Sequence, residues 1–314
     1  MRVAVIAGGV GAARFLEGLV SVVPPRDVTV IVNTGDDAEM YGLRVCPDVD
    51  IVTYHLAGLA DTARGWGLLH DTFHVVEGLR RLGEDAWFNL GDHDLATCLH
   101  RTLALRAGRA LHEVTAATCA ALGVEARVLP MTDDAVATRL LTDAGTLPFQ
   151  EYFVHRRTEP EVRAVEYAGA DRARPAPGAL EALADADRVC IAPSNPVLSI
   201  APVLAVPGYR DALQAALSAG QAGGARVVAV SPIIAGQAVK GPAVRLLASL
   251  GYEPTALGVA RIYQGLCGTF VLDRADAALA PEVERLGMRV VVTDTLMRGR
   301  FEKARLAAAA LGLE

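Results

Sequence analysis

Short, mostly apolar runs punctuate this chain. Val3–Ile6, Val28–Val32, Ala86–Leu90, Val189–Ala192, Val227–Val230 and Val290–Thr293 are rich in β-branched or bulky apolar residues. Runs apolar on both faces fit strands covered on both sides, as in a mostly parallel sheet. Between them, apolar residues recur at helical spacing over Ala12–Val22, Asp71–Leu82, Leu95–Ala107, Leu111–Leu122, Tyr209–Ala219, Pro242–Ser249 and Glu302–Ala310. The alternation predicts an α/β fold, with helices on both faces of the sheet. One stretch breaks the rhythm. From Glu125 to Tyr167, "ARVLPMTDD", "ATRLLTDAG" and "FQEYFVHRR" alternate at period two, as in a small antiparallel insert. Asp171–Leu180, punctuated by proline and glycine, reads as the connector back into the sheet. The expected organisation is therefore 1–124, an insert over 125–178, and 179–314.

Composition narrows the function classes. The chain has 314 residues, enough for two domains or one large one with an insertion. Its 52 % hydrophobic content argues against disorder. Net charge is −6 with no basic block, against DNA or RNA as the main partner. Lys240 and Lys303 are the only lysines, so positive charge is almost all arginine. Cys46, Cys98, Cys119, Cys190 and Cys267 are scattered singly without a CxxC pair. That disfavours a zinc cluster or redox pair and suits a reducing, cytoplasmic setting. The N-terminus runs from strand straight into glycines, unlike a signal peptide, and no apolar run is long enough for a membrane span.

In open parallel sheets, ligands sit beyond the carboxyl ends of the strands, so the informative residues follow each strand. After the first come Gly8, Gly9 and Gly11, then Arg14. Such glycines either make a tight turn or let backbone N–H groups approach an anion at the next helix. A dinucleotide fingerprint would want glycine in place of Arg14 and an acid ending the second strand, which ends in Asn33-Thr34. Then come Asp36, Asp37, Asp48 and Asp50. If the segment is extended, Asp48 and Asp50 project to one side and suit a magnesium ion beside phosphates. The alternative is that these acids cap turns.

Trp66 lies between Gly65 and Gly67, either as a core anchor or as a stacking platform, with Asp61 and Arg64 beside it. "WFNLGDHDLAT" holds Asn89, Asp92 and His93, with Asp94 as the expected helix N-cap. In the second half, Ser194-Asn195 and Ser231 to Ile234 offer hydroxyl and amide groups that could read a base or ribose, or cap turns. Neither serine stands in a G-x-S-x-G elbow.

Taken together, "GGVGAARFLEGL", "VNTGDDAEMYGLRVCPDVDIV", "GWGLLHDTF", "NLGDHDLAT", "LPMTDD", "FQEYFV", "APSNPVLSI", "VSPIIAG" and "DTLM" resemble the 2-phospho-L-lactate transferase family (CofD type) of coenzyme F-420 biosynthesis, over nearly the whole chain. The resemblance implies a Rossmann-like core with a smaller inserted α+β region. It also implies a magnesium-dependent transfer. A GDP-activated three-carbon acid gives its phosphoryl-acid part to the deazaflavin Fo, and GMP leaves. It places the phosphate and Fo site in 1–124 and the guanosine site in 179–314. Gly8, Gly9, Gly11, Arg14 and Thr34 would hold the diphosphate, and Ser194, Asn195, Ser231 and Ile234 the guanosine. Asp36, Asp48, Asp50 and Asp61 would hold magnesium or take the acceptor's proton. Asp50 and Asn89 align with Fo contacts, with Trp66 and Asp92 beside them. Three positions depart from the family pattern: Asn89 puts a neutral amide where relatives can carry lysine, His93 replaces an arginine, and Cys98 a frequent histidine. A homodimer is implied by the resemblance alone. The competing reading is a nucleotide-sugar-binding regulator of the related gluconeogenesis-factor group. "CPDVD" and "GWG" discriminate, since a deazaflavin acceptor needs them and a sensor does not.

Overall fold

The computed structural model describes residues 1–220, 226–238 and 243–313. In chain order the strands are β1 (Val3–Ala7), β2 (Val28–Val32), β3 (Ala38–Met40), β4 (Leu43–Val45), β5 (Arg127–Pro130), β6 (Ala137–Thr142), β7 (Gly145–Pro148), β8 (Val162–Ala168), β9 (Arg188–Ile191), β10 (Val227–Val230), β11 (Ile233–Ile234), β12 (Gln237–Ala238), β13 (Thr269–Asp273) and β14 (Arg289–Thr293). The helices are α1 (Gly9–Val22), α2 (Pro47–Leu56), α3 (His74–Arg81), α4 (Asp92–Arg106), α5 (Leu111–Ala121), α6 (Ala179–Asp185), α7 (Ala201–Ala205), α8 (Tyr209–Ala219), α9 (Ala243–Ser249), α10 (Ala256–Ile262), α11 (Ala280–Arg285) and α12 (Arg300–Leu311). The expected start of α9 at Pro242 lies outside the described residues, as does Lys240.

Seven strands form one parallel sheet in the order β14-β13-β10-β9-β1-β2-β5. Successive residues of a strand point to opposite faces. Ile6, Ile31, Leu129, Ile191 and Phe270 therefore enter one apolar core. Val5, Val30, Val128, Cys190 and Val271 enter the other. Both faces are buried along most of the sheet, which is why these strands are largely apolar in sequence. β1 pairs with β2 on one side and with β9 on the other, although 180 residues separate β1 from β9. The chain reverses its direction of travel across the sheet there. The crevice at the carboxyl ends of β1 and β9 is the switch point where α/β proteins place ligands.

Four expectations need correction. Ala86–Leu90 is not a strand: Ala86 and Leu90 are buried with Val45, Val76, Leu95 and Cys98 in a small separate cluster, under helices rather than in a ladder. β5 falls within the segment set apart at 125–178 but joins the main sheet beside β2, and the antiparallel sheet β7-β6-β8 begins only at Ala137. The stretch "FQEYFVHRR" is not extended, since Glu151–His155 make a π-helical turn. Residues Pro47–Leu56 are a helix, not an extended loop. Its signal was present: a proline at the first helical position, followed by acids in the first turn.

Candidate active site

The loops after β1, β2 and β9 converge at the switch point. Gly8 precedes α1, whose first turn begins at Gly9, so the glycine amides have no acceptor within the helix, and the Gly9 amide favours the Asp48 carboxylate. Gly8 has no room for a side chain. A Cβ there would stand 2.6 Å from Asp48 Oδ2 and 2.8 Å from Ser199 Cβ. Its N–H donates to Ser194 Oγ at 3.4 Å. Gly11 is pressed from the other side by the carbonyl of Pro193, 2.3 Å from where its Cβ would lie. Arg14, one turn into α1, is half-buried and makes no ion pair among the described residues.

Asn33, at the end of β2, organises the acids. Its Nδ2 donates to Asp48 Oδ2 (2.9 Å) and to the carbonyl of Leu198 (3.3 Å), while its Oδ1 accepts from the Gly35 amide (2.8 Å). Thr34 is buried and its hydroxyl has no partner. Asp36 is buried, with Oδ1 unpartnered. Burial, reinforced by the Asp48 charge, pushes its carboxyl well above the usual range. Burial likewise raises Asp48 to about 6. No cation compensates this pair among the described residues. Asp37 differs, because Arg44 Nη2 lies 3.0 Å from its Oδ2 and opposes the effect of burial, which leaves its pKa at about 6. A cavity of about 460 Å³ opens beside Asp36, between Gly35–Ala38 and residues 137–139 and 148–150 of the antiparallel sheet.

Asp48 and Asp50 do not project to one side. On a helix, two residues apart means about 200° of rotation, so they face different surroundings. Asp50 meets α4, where Asp94, Cys98 and Arg101 stand one and two turns apart on one face. Arg101 forms a buried ion pair with Asp50, and Tyr54 donates its hydroxyl to Asp94 Oδ1 at 2.8 Å. Burial raises Asp50, against the pull of Arg101, and with Asp50's charge raises Asp94 to about 7. Atoms of Asp50, Asp94 and Cys98 lie within 4.8 Å of one another. A thiol suits magnesium poorly, and Arg101 already supplies the positive charge.

The remaining expected residues are engaged in local structure. Asp94 does not cap α4. Gly91 is the N-cap residue, and Asp71 reaches over to accept from the amides of His93 (2.9 Å) and Asp94 (3.1 Å). Asp92 returns the arrangement, accepting from the Thr72 hydroxyl and from the His74 and Val75 amides at the start of α3. These bonds, the Thr72 hydroxyl first, hold its carboxyl below the usual range. Asp61 accepts from the amides of Ala63 and Arg64 and pairs with the Arg64 guanidinium. Asn89 Oδ1 accepts from Arg80 Nη2 at 2.7 Å. Trp66 is 38 % exposed, edge-on to Phe73, with the Arg64 guanidinium over its ring. It is not a core anchor. Asn195 Oδ1 caps the turn Pro196–Ile200, and Ser231 bonds to Ile233 within its own loop, next to Ile234 in the β11–β12 hairpin.

The model of the family described as 2-phospho-L-lactate transferase CofD matches residues 3–307. The chain belongs to that family. It is a transferase. Phosphoenolpyruvate transferase of Streptomyces griseus is 44 % identical, over 100 % of this chain and 98 % of that protein. 2-Phospho-L-lactate transferase of Methanosarcina mazei is 37 % identical, over 96 % and 97 %. A solved UPF0052-family structure from Bacillus halodurans shares the fold, with TM-score 0.64, 16 % identity and 99 % and 98 % coverage. Among the described residues, no helix of the enzyme is long and apolar enough to cross a membrane.

The residues that the sequence reading missed are Asn33 as organiser, Asp71 as cap, and Asp94 with Arg101 as neighbours of Asp50. Only the last had a local signal: Asp94, Cys98 and Arg101 recur at helical spacing in a segment expected to be a helix.

Proposed function

We propose that this enzyme transfers a phosphoenolpyruvyl group from a GDP-activated donor to the terminal ribityl hydroxyl of the deazaflavin Fo, releasing GMP, in coenzyme F-420 biosynthesis. The acceptor oxygen forms a bond to the phosphorus that carries the three-carbon acid. The bond from that phosphorus to the oxygen of GMP breaks, and the hydroxyl proton passes to a carboxylate. The choice of enolpyruvyl over phospholactyl is supported by the higher identity to the relative named for phosphoenolpyruvate. The observation that carries the reading is the pair Asp36 and Asp48, buried without a cation against the glycine amides that open α1.

Uncompensated carboxylates beside anion-binding amides fit a hard divalent ion and a phosphate together. Asp36 and Asp48 would hold magnesium, whose chemistry is to neutralise charge on the diphosphate. Gly8, Gly9, Gly11 and Arg14 bind the diphosphate and orient it for attack. The guanosine lies along the Ser194 and Ser231 loops. Because Asn195 Oδ1 and Ser231 Oγ are engaged locally, backbone groups and Asn195 Nδ2 do the reading there. Asp50 faces the acceptor hydroxyl and takes its proton. Trp66 and the Asn89–Arg80 pair flank the deazaflavin, and Arg80 brings a positive charge beside the neutral amide of Asn89. Asp92 and Asp61 shape this wall through the backbone. The enzyme acts in the cytoplasm as a homodimer.

The test is to mix the protein with Fo, magnesium and GDP-activated phosphoenolpyruvate or phospholactate, and to follow GMP and product mass. GMP release with formation of the enolpyruvyl product is expected. Absence of GMP with both donors overturns the reading.

A further inference from the structure

Asp50 is held in an unusual way for a buried carboxylate. Arg101 binds it through one oxygen, Oδ1, by way of Nη2. The other arm of the guanidinium, Nη1, donates to the carbonyl of Arg44 at 3.1 Å and lies 3.9 Å from Cys98 Sγ. The Cys46 amide also favours the ionised carboxyl, and Asp50 Oδ2 is buried with no partner at hydrogen-bond distance. Arginine and carboxylate frequently pair through both oxygens, because the two forks match. Here the fork is divided. One arm fixes the carboxylate, and the other fixes the arginine to the backbone beside β4. Arg101 is itself almost wholly buried, so its position is set by α4 packing and not by solvent.

Buried acceptors without a donor are rare in native proteins and call for an explanation. The unpaired oxygen stands on the residue that meets the acceptor alcohol, and an alcohol is the hydrogen-bond donor it lacks. We propose that Arg101 is a positioning residue for the transfer: it holds Asp50 in one orientation through Oδ1, so that Oδ2 is left for the acceptor's hydroxyl. Arg101 touches neither substrate. This inference rests on the proposed role of Asp50. It adds a residue, on a different helix, through which that role is set.

The test compares the full-length wild type with R101M, R101K, D50N and D50N/R101M. The probes are Fo, magnesium and GDP-activated phosphoenolpyruvate. For R101M we expect kcat to fall at least 100-fold, while GDP affinity and the donor KM stay within threefold. R101K keeps a charge that reaches Asp50 and recovers at least tenfold over R101M. D50N/R101M is no slower than D50N within threefold, because both changes remove one function. A merely structural arginine gives a different result: the two losses multiply, and GDP affinity falls together with kcat. That result overturns the proposal, as does an R101M enzyme within fivefold of wild-type kcat. If R101M is insoluble, D50N/R101K against D50N decides by the same criterion. A wild type that releases no GMP defeats the proposed function instead. An active wild type with an unaffected R101M defeats only this inference.

Discussion

Two pairs of aspartates look alike in sequence and live differently in the fold. Asp36 and Asp48 stand at the glycine loop, and Asp71 and Asp92 at the starts of α3 and α4. Asp71 accepts from the amides of Thr72, His93 and Asp94, and Asp92 from a hydroxyl and two amides. Each of the second pair caps the helix that the other precedes or begins. Their charge is used up by backbone donors and the positive ends of helices. The first pair has Asn33, the Gly9 amide and Thr138 but no cation, is deeper, and repels itself. Fully partnered acids stabilise a fold. Buried acids without a compensating cation destabilise it and are kept where they have other work.

The sharpest break in this comparison is substitution of the first pair. Asp36→Asn or Asp48→Asn lowers transfer at least 100-fold, measured as GMP release. The same variants are as stable as wild type near neutral pH, or more so by roughly 1–2 kcal/mol, because a desolvated charge is gone. The pH dependence follows. Asp48 keeps its proton up to about 6 in the native state, while the unfolded chain releases it near the ordinary aspartate value of 3.8. The native state therefore binds more protons between these values, and its contribution to stability falls as pH rises through that window. Denaturant titrations of the metal-free protein show this slope, and Asp48→Asn flattens it.

The second pair behaves in the opposite way. Asp71→Ala removes acceptors from buried amides and lowers stability by about 2–3 kcal/mol. Gly91→Ala reaches the same end by another route, since its Cβ would stand 2.0 Å from Asp71 Oδ2 with an ordinary backbone φ of −71°. The double variant is no less stable than Asp71→Ala alone in thermal unfolding. If the two losses add, the glycine is not there to admit the carboxylate. The smallest effect belongs to Trp66. Trp66→Ala raises KM for Fo about tenfold, the loss of one stacking surface, and leaves GDP affinity unchanged. An unchanged KM for Fo would place the ring outside the acceptor site.

The parallel sheet was legible because both its faces are buried, so β1 and β10 carry apolar residues at every position, and β2 and β9 at all but one. The glycine loop was legible for the same reason: a backbone constraint is written in the residue that obeys it. Asp50's surroundings were not. The helix that carries it was readable from Pro47 and the acids after it, but its partner Arg101 is 51 residues away. Ala86–Leu90 misled because an apolar run records burial and not the element that buries it.

By itself, the sequence determined the fold class, the strand ends where ligands gather and the family of transferases. Periodicity, glycine and motif order are local or collinear properties of a chain. Only the tertiary structure decided which aspartate is compensated. That depends on which helix end or guanidinium lies opposite it, and the carboxyls of Asp36, Asp50, Asp71 and Asp92 are identical until folding assigns their partners.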